Sequence, residues 1–230
     1  MVVSNGGFTA AMDPTQVALM EEECILLDRD DQVIGKESKK NCHLNSIIEA
    51  RNLLHRAFSV FLFNSRDELL LQQRAAEKIT FPLVWSNTCC SHPLYVESEL
   101  DMKDFVGVKR AAIRKLEHEL GISPDQIPLS AINVLARVHY KAATDDTWGE
   151  HEIDYILFVK MDVKVVLNRN EVNAVKYVTE EELDQMLKDS SYKVSPWFRL
   201  IVEKGLLREW WKDLDNVHLK AETKHIHRFV

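Results

Sequence analysis

The stretch Ala57–Phe63 (AFSVFLF) constrains this chain more than any other. It is apolar at almost every position. The polar turn Asn64–Glu68 follows it, and then the apolar start of Leu69–Arg74. A strand with one wet face alternates apolar and polar residues; a run without alternation is buried on both faces. The sheet holding Ala57–Phe63 therefore needs a covering layer on each side. Helices for those layers are legible. Val108, Ala112, Leu116 and Leu120 recur every four residues, and Gly121 is placed to stop that helix. Ser123-Pro124-Asp125-Gln126 and Thr179-Glu180-Glu181-Glu182 carry capping-box starts. Ser195-Pro196 opens a last helix that is expected to run through Trp210-Trp211. Cys24–Leu27, Asp28–Asp31 and Gln32–Gly35 repeat the strand-turn-strand pattern, Ile132–Tyr140 and Glu152–Lys160 read as strands, and Phe81–Pro93 reads as irregular. Strands and helices alternate without a βαβ rhythm. The fold class is therefore α/β (α+β), a mixed-sheet sandwich.

The ends and the charge narrow the setting. Lys and Arg number 29 against 36 Asp and Glu in 230 residues, a net charge of −7. Such a chain is a poor generic partner for nucleic acid or an anionic membrane, so neither is expected, and a bound anion needs cations gathered locally. No apolar run approaches the roughly 18 residues of a membrane span. Four cysteines in a chain of this length read as reduced thiols, and no Lys or Arg precedes Arg29. The cytoplasm is the default location. An organellar precursor and a peroxisomal association stay open. Residues 1–19 are expected to be a disordered leader, 20–215 the domain, and 216–230 a tail that packs on it or frays. The expected state is a monomer.

The sharpest local signal is Glu150-His151-Glu152. On a strand, residues two apart face one side, about 6.5–7 Å apart, so the two carboxylates meet at one spot. Like charges there repel, and a cation between them relieves this. Taken alone, the pair also fits a solvated edge strand. His43, His55 and His92 each sit at an element boundary. Imidazoles and carboxylates together suit a divalent ion, and three His with two Glu leave one octahedral position open. Cys90, two residues from His92 in a proline-bounded loop, is a candidate acid, base or nucleophile. A small buried hydrophobe is the alternative. Among the cations, Arg74 and Lys78 close the second hairpin, a pattern suited to a phosphate or diphosphate. Trp197 begins a helix, where packing is usual, but an indole face also steadies a cation.

Taken together, these segments resemble the type I isopentenyl-diphosphate Δ-isomerase family, eukaryotic and plant-like, over about residues 20–215. The carrying motifs are Lys39-Lys40-Asn41-Cys42-His43-Leu44, Asn52–Ser59 (NLLHRAFS), Leu71-Gln72-Gln73-Arg74, Asn87–Pro93 (NTCCSHP), Tyr140-Lys141-Ala142, Trp148–Glu152 (WGEHE) and Ser195-Pro196-Trp197. The resemblance implies a Nudix-like α/β/α sandwich with N- and C-terminal additions. The Nudix hydrolase box falls on Arg114–Ile122, where Lys115 and His118 replace two acids and Leu100 and Val106 replace the preceding Gly and Glu. That breakage argues against a diphosphate hydrolase. A non-catalytic metal-binding module is the third reading, which the presence of both Cys90 and Glu152 disfavours.

Carried over by position, the resemblance makes His43, His55, His92, Glu150 and Glu152 ligands of one divalent metal, with Mg²⁺, Mn²⁺ and Zn²⁺ all open. It implies that Glu119 helps hold a Mg²⁺ arriving with the substrate, and that Lys39, Arg74, Lys78, Ser91 and Lys115 bind the diphosphate. Cys90 and Glu152 would move the protons, Tyr140 would serve Glu152, and Trp197 would wall the pocket. The implied partner is a small allylic or homoallylic diphosphate, and the implied chemistry uses no flavin.

Overall fold

The computed structural model describes residues 8–9 and 11–230. Its strands are β1 (Glu23–Leu27), β2 (Val33–Ser38), β3 (His55–Phe63), β4 (Leu69–Arg74), β5 (Trp85–Ser86), β6 (Cys89–Ser91), β7 (Asn133–Ala143), β8 (Gly149–Lys160), β9 (Val172–Val178) and β10 (Glu222–Arg228). Its α-helices are α1 (Pro14–Leu19), α2 (Lys39–His43), α3 (Asn45–Arg51), α4 (Glu97–Leu100), α5 (Val106–Leu120), α6 (Glu180–Lys188), α7 (Pro196–Glu203) and α8 (Leu206–Trp211). All ten strands belong to one mixed sheet.

β3 is buried at every residue, as its composition requires. Successive side chains point to opposite faces. Phe61 and Phe63 join Ile156, Phe158, Phe198, Ile201 and Trp210 on the side covered by α6, α7 and α8. Phe58, Val60 and Leu62 join Ile153, Tyr155 and Leu157 on the side covered by α5. The stripe Val108, Ala112, Leu116 and Leu120 is wholly buried there. Gly121 ends α5 at φ 60, and a Cβ at that position would lie 2.4 Å from the Val166 carbonyl oxygen. The layers are therefore helix, sheet, helix.

The two edges of β3 differ, and that difference makes the site. Along one edge β8 runs parallel for the whole length, from His55–Glu152 to Phe63–Lys160. The other edge is shared in succession by β1 at His55, β6 at Phe58–Val60 and β4 at Phe63. The expected β3–β4 hairpin thus closes only at its turn. β4 then swings away to pair with β9 and β5. Thr88 fills the fork: the Leu62 N–H donates to its hydroxyl at 2.8 Å, and the hydroxyl donates to the Leu70 carbonyl at 2.6 Å.

Several expectations shift. The edge-strand alternative for the Glu150/Glu152 pair falls away, because β8 lies between β7 and β3. Ser123–Gln126 opens only a 3₁₀ turn, because Pro128 holds Ile127 extended at φ −129 and ψ 95. The last helix breaks at Gly205, φ 77, into α7 and α8. Within the stretch expected to be a leader, Pro14–Leu19 is helical, with the Asp13 carboxylate capping Thr15 and Gln16 N–H groups; residues 1–7 and 10 lie outside the described residues. The tail forms β10, parallel to β7. Its Arg228 donates to His139 at 3.0 Å, and His139 and His151 join through their Nε2 atoms at 2.9 Å.

One buried ionic knot holds the α5 face to the β1–β2 turn. Asp31 accepts from Arg56 Nη2 at 2.8 Å, from Arg137 Nη1 at 2.9 Å, and from the Tyr155 hydroxyl. Asp31→Ala leaves the buried Arg56 guanidinium without its anion, an expected loss of about 3–5 kcal/mol. At about 2–4 °C per kcal/mol for a chain of this size, a Tm fall on the order of 10 °C is expected by calorimetry. A change under about 2 °C would show that the knot adds nothing.

Candidate active site

His43, His55, His92 and Glu152 arrive from four elements: the end of α2, the start of β3, the loop after β6, and β8. Their ligand atoms lie within 4.8 Å of one another, all buried. The three imidazole centroids are mutually 4.8–5.0 Å apart. β3 and β8 pair in register at His55 and Glu152, which fixes two members directly.

The hydrogen bonds state which atoms are free. The His43 Nδ1 lies 2.7 Å from the Lys39 carbonyl, so it must donate, and Nε2 keeps its lone pair. Among the described residues that Nε2 is buried without a partner, as are Nδ1 of His55 and of His92. The Nε2 atoms of His55 and His92 both lie on Glu152 Oε1, at 3.1 and 2.8 Å. Burial first, then His92 and His55, hold His43 well below the usual imidazole range, and burial pushes His92 down to about 3. Both are thus neutral, the form that ligates a metal. At His55, burial pulls downward most strongly, but the hydrogen bond to Glu152 together with the negative charge around it outweighs that pull and raises the group.

Tyr140 Oη lies 2.6 Å from Glu152 Oε2 and 3.0 Å from Glu150 Oε2. One phenol proton cannot serve two carboxylates. Burial, then Glu152, pushes Glu150 up to about 8, whereas hydrogen bonds from His55 and His92 overcome burial and hold Glu152 well below the carboxylate range. Orphaned imidazole nitrogens beside two crowded carboxyls fit a divalent cation. Of the five expected ligands four converge; Glu150 stands outside the group of four and is tied to Tyr140.

The cleft beside this cluster is walled by Cys90, Ser91, Tyr140, Glu150 and Trp197. Cys90 stands on β6 and Glu152 on β8, strands that pair with opposite edges of β3. Burial pushes the Cys90 thiol up to about 12 against the pull of Arg74, so it carries its proton. The Trp197 indole donates to Asn87 Oδ1 at 3.0 Å and meets the Phe81 ring edge-on at 5.1 Å.

Lys39, Arg74 and Lys78 also line the cleft, as do Gln16 and Met20. Arg74 is fixed by the carbonyls of Phe81 and Thr80, and its Nη1 lies 3.9 Å from Cys90 Sγ. Glu119 reaches the wall from α5 and accepts from Gln72 at 2.9 Å. Lys115 does not reach it. Only 2% exposed, it is spent on Glu119 at 3.3 Å and His118 at 3.0 Å. Gln16, Met20 and, through its 2.5 Å pair with Lys78, Glu171 were not expected near the site. None sits in a recognisable motif, and only the fold brings them there.

The NUDIX domain model matches residues 53–198. Isopentenyl-diphosphate Delta-isomerase I, chloroplastic, of Arabidopsis thaliana is 53% identical over 227 residues, covering 95% of this chain and 78% of that protein. Isopentenyl-diphosphate Delta-isomerase 1 of Bos taurus is 52% identical, covering 96% and 97%. An isopentenyl-diphosphate delta-isomerase of Gibberella zeae is 56% identical over 207 residues, covering 89% of this chain and 81% of that protein. A crystal structure of a Nudix hydrolase from Alicyclobacillus acidocaldarius shares the fold at TM-score 0.51 and 11% identity, over 66% of this chain and 90% of that one. With the Nudix sandwich, the buried His/Glu cluster and relatives above 50% identity, this chain belongs to the isopentenyl-diphosphate Δ-isomerase family.

Proposed function

We propose that this chain interconverts isopentenyl diphosphate and dimethylallyl diphosphate by adding a proton to one carbon and removing one from a neighbour, through a tertiary carbocation. The observation that carries the reading is that Cys90 and Glu152 line one cleft from strands paired with opposite edges of β3, where burial favours the thiol form of Cys90 and the His55 and His92 contacts favour the ionised form of Glu152. One group gives a proton to the alkene and the other takes one from the neighbouring carbon, so no redox partner or flavin is needed, and a proton passing back between them, directly or through solvent, restores both for the next turnover. Tyr140, hydrogen-bonded to Glu152, orients that carboxylate. Lys39, Arg74 and Lys78 supply the local cations that an acidic chain needs for a diphosphate, and Ser91 adds a hydroxyl beside them. Remote binding of that group helps close water out of the site. The Trp197 face offers π density to the cation without a nucleophile, worth roughly 2 kcal/mol in a dry pocket.

His43, His55, His92 and Glu152, with Glu150, would hold a divalent ion (Mg²⁺, Mn²⁺ or Zn²⁺) whose charge lets both carboxylates stay ionised, and Glu119 is placed for a Mg²⁺ brought by the diphosphate. Four unbridged thiols fit a reducing compartment such as the cytosol.

The test is incubation with isopentenyl diphosphate and Mg²⁺ in deuterated water, followed by proton and phosphorus NMR. Deuterium-bearing dimethylallyl diphosphate is expected. Released phosphate would mark a hydrolase instead, and unchanged substrate on metal-loaded protein a binding module.

A further inference from the structure

Glu171 stands just before β9 and is 1% exposed. The mechanism above gives it no task. Its Oε2 pairs with the Lys78 ammonium at 2.5 Å, and its Oε1 accepts from Gln16 Nε2 at 2.8 Å. Gln16 is itself held by Asn170, through the backbone carbonyl at 3.1 Å and Oδ1 at 2.7 Å. The Glu171 carbonyl accepts from the Ala75 N–H at 3.0 Å, so the same residue pins the start of the loop carrying Lys78, Ile79 and Thr80 to the cleft. A buried carboxylate satisfied on both oxygens, one by a cleft lysine, is costly unless its partner needs holding.

We propose that Glu171 is a positioning residue of the diphosphate pocket, holding the Lys78 ammonium at the cleft wall while Gln16 of α1 fixes its second oxygen. This rests on the reading that Lys78 grips the diphosphate. Burial lowers Lys78 to about 8, and Arg74 of β4 and Lys115 of α5 press the same way. Glu171 and, more weakly, Glu119 of α5 oppose them. Without Glu171, the lysine loses its proton at lower pH and with it much of its hold on an anion.

The experiment is calorimetric titration of the full chain with pyrophosphate and Mg²⁺ between about pH 6 and 9. Wild-type affinity is expected to fall as pH rises through about 8. In Glu171→Gln the midpoint moves about one unit lower, a roughly fivefold weaker Kd near pH 8 but little change near pH 6. Glu171→Asp restores part of the shift, and Gln16→Ala gives a smaller shift in the same direction. The ionisation of pyrophosphate itself is common to all variants. An unmoved midpoint, or a loss equal at every pH, would overturn the proposal. If Glu171→Gln does not fold, Glu171→Asp and Gln16→Ala decide by the same midpoint. Lys78→Ala separates the two readings. Undiminished pyrophosphate binding there removes Lys78 from the pocket. Weakened binding there with an unmoved midpoint in Glu171→Gln removes Glu171 alone.

Discussion

Cys90→Ala is expected to lose roughly 10²–10⁴-fold in kcat for isopentenyl diphosphate, the usual contribution of one positioned proton-transfer group. KM should stay within a few-fold, because Lys39, Arg74 and Lys78, the cleft cations proposed for the diphosphate, are untouched. Metal binding should also survive, since Cys90 is outside the His/Glu group. Glu152→Gln makes the contrast. Its carboxylate both accepts from His55, His92 and Tyr140 and belongs to the metal group, so turnover and metal response should fall together. A Cys90→Ala enzyme within tenfold of wild type would remove the thiol from the chemistry.

Stripping divalent ions with a chelator is expected to abolish turnover and to lower Tm. An ion present at about 100 times its Kd stabilises the native state by about 2.7 kcal/mol, or about 5–11 °C for a chain of this size. The His43→Ala variant should show little of that response, because it deletes one of the three imidazole nitrogens of the cluster that have no hydrogen-bond partner among the described residues. Ser91→Ala, whose hydroxyl is not among the grouped ligand atoms, should keep it. Equal Tm for wild type with and without Mg²⁺, Mn²⁺ or Zn²⁺ would leave the cluster as a structural knot of imidazoles.

Much of this was legible in the residues. The unbroken apolar run of Ala57–Phe63 demanded two covering layers and has them. The Val108–Leu120 stripe and the Thr179 capping box report purely local physics, and both appear as expected. The Glu150/Glu152 alternation put two carboxyls on one face because strand pleat is a fixed period. What stayed hidden depended on distant partners. β10 reads Glu-Thr-Lys-His-Ile-His-Arg, polar enough for a frayed tail, yet β7 offers it an open edge. The splaying of β4 from β3 rests on Thr88 entering the fork from another segment. Lys115 and Glu119 stand i, i+4 on a helix and so were legible as an ion pair, but only the packing of α5 shows that the pair is buried, with His118 as a second partner. Asp31, in a turn of acids, gave no sign that two arginines and a tyrosine converge on it.

The parallel pairing of β3 with β8 has a kinetic consequence. His55 and Glu152 meet across 97 residues of sequence, and His43 and His92 come from separate segments again. A parallel ladder of that span costs loop entropy before any of its contacts form, so its closure belongs late in folding. A divalent ion held there would therefore find no half-built nest in the nascent chain. It is expected to slow the unfolding rate while leaving the refolding rate nearly unchanged.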